Sequence, residues 1–139
     1  MPDMAENALV DAGFLVAILT DRDSNHRWAL TIAERHPPPW TTCDAVVSEC
    51  FYLLGPHGAS SLGELLRRGT VLSPFRFHSH VKEVLGLLQK YADVPMSFAD
   101  ACLGRMTEIL ADPVLLTTDS DFRIYRRHGR QTIPCLLPD

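Results

Sequence analysis

Lysine is almost missing from this chain: Lys82 and Lys90 are the only two in 139 residues, against eleven arginines. Thirteen basic residues face seventeen acidic ones, for a formal charge of −4. That balance excludes a protein that holds nucleic acid by bulk positive charge, though not one with a local basic patch. The arginine bias mildly favours bidentate phosphate contacts; GC-rich coding produces the same bias. No apolar run reaches the ~20 residues of a membrane span. The polar, acidic opening Met1-Pro2-Asp3-Met4-Ala5-Glu6-Asn7 does not read as a signal peptide. The four cysteines, Cys43, Cys50, Cys102 and Cys135, form no C-x-x-C pair, and each lies in or beside an apolar run. They read as reduced, mostly buried thiols of a cytoplasmic protein. G-x-S-x-G, P-loop and G-x-G-x-x-G motifs are absent, which leaves serine hydrolase, P-loop NTPase and dinucleotide-binding readings unsupported. There is no internal repeat, low-complexity tract or long linker.

What is present is one domain's worth of ordinary globular sequence, 46% apolar and 22% charged. Short apolar runs alternate with amphipathic stretches. Ala8-Leu9-Val10 reads as a buried strand ending at Asp11, and Phe14 to Leu19 as a first helix. Asp23-Ser24 can cap a second helix that runs to about His36, before Pro37-Pro38-Pro39. Trp40–Thr42 is a candidate strand and Asp44 to Leu54 a third helix. A loop at Gly55-Pro56-His57-Gly58 follows, then a short helix capped by Ser60-Ser61 and ended by Gly69. Thr70 to Ser73 reads as a strand, His80 to Tyr91 as an amphipathic helix, and Ser97 caps a further helix that Asp112-Pro113 ends. Val114 to Thr118 is the clearest strand. Asp121 to Arg130 is a polar, basic helix or turn, and Gln131 to Leu136 a last strand. Strands alternating with helices predict an α/β fold with a mainly parallel sheet.

Ligands of such sheets sit beyond the carboxyl ends of the strands. Four acids fall there. Asp11 closes the first strand and Asp119 the Val114–Thr118 strand. Asp100 lies in the first turn of the helix that Ser97 caps. Glu49 follows Ser48 in the helix after Trp40–Thr42, among apolar neighbours that predict partial burial. Each alone has an ordinary reading as a strand end, a helix cap or a dipole partner. Together they repel, and a cation would relieve them. A hard divalent ion takes oxygen ligands and promotes phosphodiester hydrolysis by polarising phosphorus and activating water.

Four segments carry a family resemblance: Leu9-Val10-Asp11-Ala12-Gly13, Val47-Ser48-Glu49, Ser97-Phe98-Ala99-Asp100-Ala101, and Leu116-Thr117-Thr118-Asp119-Ser120-Asp121-Phe122. In order and spacing they resemble the acidic motifs of PIN-domain ribonucleases, most of all the VapC-like toxins of type II toxin–antitoxin modules. The resemblance runs from about Ala8 to Leu136. It implies a single PIN-like domain over residues 1–139, a three-layer α/β/α sandwich around a central parallel sheet. It also implies Mg²⁺- or Mn²⁺-dependent cleavage of RNA such as tRNA or rRNA. By motif, Asp11 and Asp100 would be the principal metal ligands, Glu49 and Asp119 would complete the pocket, and Asp121 would assist. Ser48 and Thr118 are candidate hydrogen-bond donors to those carboxylates. Ala12-Gly13 stand where family members often carry a small hydroxyl residue, a departure that would loosen the network around Asp11. The resemblance further implies a homodimer and a cognate antitoxin whose arginine would enter the acidic pocket. The apolar first helices are more than one small sheet covers.

Arg123, Tyr125, Arg126 and Arg127, just past the last acidic motif, are candidate RNA contacts: phosphate for the arginines, base stacking for Tyr125. His78-Ser79-His80 lacks the neighbours of a soft-metal site and reads as surface or capping, and His26 as packing. A phospho-acceptor receiver domain needs a late lysine, and none follows Lys90. An Asp-nucleophile phosphatase would want D-x-D after the first strand, where Asp11-Ala12-Gly13 stands. A catalytically silent PIN-like domain binding RNA or protein is the remaining alternative.

Overall fold

Ala8, Leu9 and Val10 form a strand buried on both faces, a pattern that belongs in the middle of a sheet with helices on either side. The computed structural model describes residues 7–139; residues 1–6 of the polar opening lie outside it. Its strands are β1 (Ala8–Val10), β2 (Trp40–Thr41), β3 (Val71–Leu72), β4 (Val114–Leu116), β5 (Arg126–Arg127), β6 (Gln131–Thr132) and β7 (Cys135–Leu136). Its helices are α1 (Ala12–Leu19), α2 (His26–Arg35), α3 (Asp44–Arg67), α4 (Val81–Lys90) and α5 (Phe98–Ile109). The main sheet has the order β3-β2-β1-β4-β7, and every pairing in it is parallel. β1 is central, with Leu9 opposite Thr41 on one side and Leu115 on the other.

The chain moves from β1 to β2 to β3 in one direction, then crosses back to β4 on the far side of β1. Right-handed crossovers therefore send α1–α3 to one face and α4–α5 to the other. α1 packs on α2 and α3, and α4 packs on α5. This is the expected α/β/α sandwich. Phe14 anchors the first face, fully buried and edge-on to Trp28 and Trp40. Removing such a side chain costs about 3–5 kcal/mol. His26 ties α2 to α1 through its Nδ1 and the Ala17 carbonyl, 2.7 Å apart. Cys43, Cys50 and Cys102 are buried free thiols, as expected, and Cys135 is half-buried.

Four local expectations are corrected. The loop at Gly55–Gly58 shrinks to a kink, and α3 continues from Asp44 to Arg67. Gly55 alone leaves helical geometry, at φ 68°, which glycine adopts without a Cβ clash. Pro56 then starts the second half, where a missing N–H costs nothing. Asn25, not Asp23 or Ser24, is the cap residue of α2; Asp23 instead accepts the Asn25 N–H at 2.8 Å in the turn before it. The Asp121–Arg130 stretch is no regular helix. A 3₁₀ turn at Ser120–Arg123 leads into an antiparallel β5–β6 hairpin around Gly129 (φ 81°). Pro134 then separates β6 from β7, so the predicted last strand is two.

Candidate active site

The strand order reverses between β1 and β4, and this is where open parallel sheets bind ligands. Asp11 follows β1 directly and Asp119 stands just past β4. A cleft of about 200 Å³ opens at that edge, and Asp11, Glu49, Asp100 and Asp119 all line it. The other lining residues are Ala12, Gly13, Val46, Leu53, Ala99, Leu103 and Thr118, so no Lys, Arg or His offsets the four acids there.

Asp11 is held most tightly. It is 7% exposed. It caps α1, with Oδ1 accepting the Phe14 N–H at 2.9 Å. Its Oδ2 accepts a short hydrogen bond from the Thr117 hydroxyl. Thr117 is fully buried, and its Oγ1 also accepts the Asp119 N–H at 2.9 Å. Asp119 in turn caps the 3₁₀ turn by accepting the Asp121 N–H at 2.9 Å. One relay thus joins the ends of β1 and β4.

Asp100 arrives from the opposite face. Ser97 and Asp100 form a capping box at the start of α5: Ser97 Oγ accepts the Asp100 N–H at 3.0 Å, and Asp100 Oδ2 accepts the Ser97 N–H at 3.3 Å. The Tyr125 hydroxyl donates to the same Oδ2 at 3.4 Å.

Electrostatics follow from this crowding. Burial pushes the Asp11 carboxyl up to about 6; the Thr117 and Phe14 hydrogen bonds oppose that rise, and the charges of Asp119 and Asp100 add to it. Asp100 is raised too, by burial first and then by Asp119 and Glu49. Burial also raises the Tyr125 phenol, with Asp100, Asp121 and Asp119 adding to it. Crowded carboxylates that repel and have no cation among them fit a hard divalent ion. Among the described residues no three His, Cys, Asp or Glu side chains form a ready-made cage. The acids that line the cleft offer oxygen donors, the kind a hard divalent ion takes.

Several expected residues stand differently. Glu49 is exposed at the cleft rather than partly buried. Asp121 lies outside the cleft lining and touches it through Asp119. Ser48 is exposed and outside the lining. Thr118 lines the cleft, but Thr117 is the threonine bonded to Asp11. Alternation says that one of two adjacent threonines points inward, but the register between β1 and β4 decides which. Thr118 instead sits over Gly13, where a Cβ would lie 2.0 Å from its Oγ1. A side chain at position 13 would therefore displace the Thr118 hydroxyl.

The basic tail is corrected. Tyr125 is 0% exposed, its ring packed edge-on against Tyr91 and Phe122, so it cannot stack on a base. The Arg127 guanidinium bonds the Thr107 and Leu110 carbonyls and closes the C-terminus of α5. Arg126 folds back onto the carbonyls of Arg123, Ile124 and Tyr125. Of the four, Arg123 alone is exposed.

Comparison with known proteins agrees with this geometry. No curated protein matches the sequence. The crystal structure of VapC20 from Mycobacterium tuberculosis, a toxin that cleaves the sarcin–ricin loop, is similar in fold. It matches with a TM-score of 0.73 at 20% identity, over 82% of this chain and 91% of that one. The family model for the PIN domain matches residues 8–127. That span opens at β1, closes in β5 and takes in all four cleft acids: the chain belongs to the PIN-domain family.

Proposed function

We propose that this chain is a Mg²⁺- or Mn²⁺-dependent endoribonuclease and the toxin of a type II toxin–antitoxin pair, a single domain acting as a cytoplasmic homodimer. The observation that carries this is the cleft itself: four acids, one of them buried, with no cation among the residues around them. Membership of the PIN family and likeness in fold to a toxin nuclease support it.

Asp11 and Asp100 would hold the ion, with Glu49 and Asp119 around it and Asp121 behind Asp119. When bound, the ion supplies Lewis-acid polarisation of the phosphate and a water of lowered pKa. Thr117 and the Phe14 amide keep Asp11 in one orientation. Ser97 and Tyr125 do the same for Asp100. Glu49, exposed at the mouth, is suited to accept a proton from the attacking water.

Phe51, Tyr52 and Leu53 on α3 are exposed, and Leu53 also lines the cleft. An antitoxin or second copy covering them would reach the acids, and an antitoxin arginine there would replace the ion's charge. The test is expression in a bacterial host. Wild type should arrest growth, Asp11→Asn should not, and the product of the adjacent gene should restore growth and co-purify. Equal growth of wild type and Asp11→Asn would contradict the toxin reading.

A further inference from the structure

A second basic and aromatic segment packs along α5, the helix whose first turn carries Asp100. Phe75-Arg76-Phe77-His78-Ser79-His80 joins the carboxyl end of β3 to α4. It borders two hollows of about 570 and 300 Å³, which share Pro74, Phe75, Arg76 and Ser79. The segment is tied to the cleft: Phe77 packs edge-on against Phe98, with ring centroids 4.9 Å apart, and Phe98 stands two residues before Asp100 in the first turn of α5.

The chemistry here differs from that of the cleft. Arg76 and His78 are exposed and line the larger hollow. Among the described residues no carboxylate forms an ion pair with Arg76. Asp44 is the one acid in the lining, and it accepts the Ser73 hydroxyl at 2.5 Å. Phe75 and His80 stack at 4.9 Å with planes 17° apart, and both line the smaller, mainly apolar hollow. His80 Nδ1 accepts from Arg105 Nε at 3.2 Å, so Nε2 carries the ring's proton and is a donor. A stacked ring pair, a guanidinium and imidazole N–H donors are what single-stranded RNA needs: faces for bases and donors for phosphates. The hollows are large enough for a small ligand.

We infer that the Phe75–His80 segment is a nucleotide-binding subsite that grips single-stranded RNA flanking the bond cut at the acidic cleft. This rests on the ribonuclease reading. Arg76 and His78 contact phosphates, and the Phe75–His80 stack receives a base. It takes the RNA-gripping role that Tyr125, which is buried, and Arg127, which is bonded to the end of α5, cannot fill.

The test is fluorescence anisotropy of a labelled single-stranded RNA 12-mer, with Ca²⁺ in place of Mg²⁺, across a salt series. The double variant Arg76→Ala/His78→Ala should bind about 10-fold more weakly, with a salt slope lower by about 1. The control Arg22→Ala/Arg67→Ala should match wild type. Photocrosslinking with 4-thiouridine RNA should label the Phe75–His80 segment in the wild-type protein. Unchanged affinity and slope, with crosslinks elsewhere, would overturn the subsite and leave the nuclease reading standing. So would unchanged RNA binding combined with loss of antitoxin capture, which would make the segment a protein-docking site. If wild type neither binds nor cleaves any RNA, the nuclease reading falls, and the subsite with it.

Discussion

Burial takes the Asp11 carboxyl out of the water that would solvate its charge. Its carboxyl sits at about 6 in the fold and near about 3.9 in an unfolded chain. The native state therefore prefers the protonated form. In metal-free protein, this group's contribution is fully present below about pH 4 and is lost as pH rises through 6. The difference is on the order of 3 kcal/mol. Denaturant unfolding in EDTA should show stability falling between pH 4 and 7. Asp11→Asn should flatten that slope and be the more stable protein at pH 8. Mg²⁺ should raise the Tm of wild type but not of Asp11→Asn or Asp100→Asn. Thr117 belongs to the same residue-scale network. Thr117→Val removes the donor to Asp11 and the acceptor of the Asp119 N–H. It should lower activity or metal affinity about 10–100-fold, whereas Thr117→Ser should retain most of both. The four acids were legible because strand ends and helix starts mark the binding edge. Thr117 was not, because which of two adjacent threonines faces Asp11 depends on the register between β1 and β4.

At the scale of elements, α1 can lie against the end of β4 because position 13 has no side chain. Gly13→Ala would force Thr118 aside and should cost about 1–3 kcal/mol. Adding Thr118→Ala should recover much of that loss, a coupling that urea unfolding of the double-mutant cycle would measure. Arg127 has the opposite kind of role from the one its neighbours in sequence imply. It closes the end of α5, so Arg127→Ala should lower stability by about 1–3 kcal/mol, and RNA affinity at fixed folded concentration should not change. A run of arginines after an acidic motif looks like a phosphate grip in sequence. Tertiary contacts decide otherwise, because the carbonyls of Thr107 and Leu110 are supplied by a helix some twenty residues earlier. Likewise, the α3 kink reads as a loop from Gly-Pro, yet one glycine at positive φ is enough to redirect the helix.

For the whole molecule, the parallel α/β architecture followed from buried strands alternating with amphipathic helices, and the reversal between β1 and β4 brings acids from four separate segments to one edge. The β5–β6 hairpin and the short β7 were beyond reach, since two-residue strands carry no periodicity. Tyr52, 85% exposed on α3 beside Phe51 and Leu53, is an apolar face that a self-association or antitoxin interface would cover. On the proposed reading, Tyr52→Glu should shift the homodimer toward monomer in analytical ultracentrifugation or weaken antitoxin binding. The central claim is tested most directly by incubating partner-free protein with mixed RNA, including tRNA and a sarcin–ricin-loop fragment, in Mg²⁺, Mn²⁺ or EDTA. Cleavage in either metal, none in EDTA, and loss of at least about 100-fold in Asp11→Asn and Asp100→Asn is the expected result. Identical residual cleavage by wild type and both variants, or undiminished cleavage in EDTA, would contradict it.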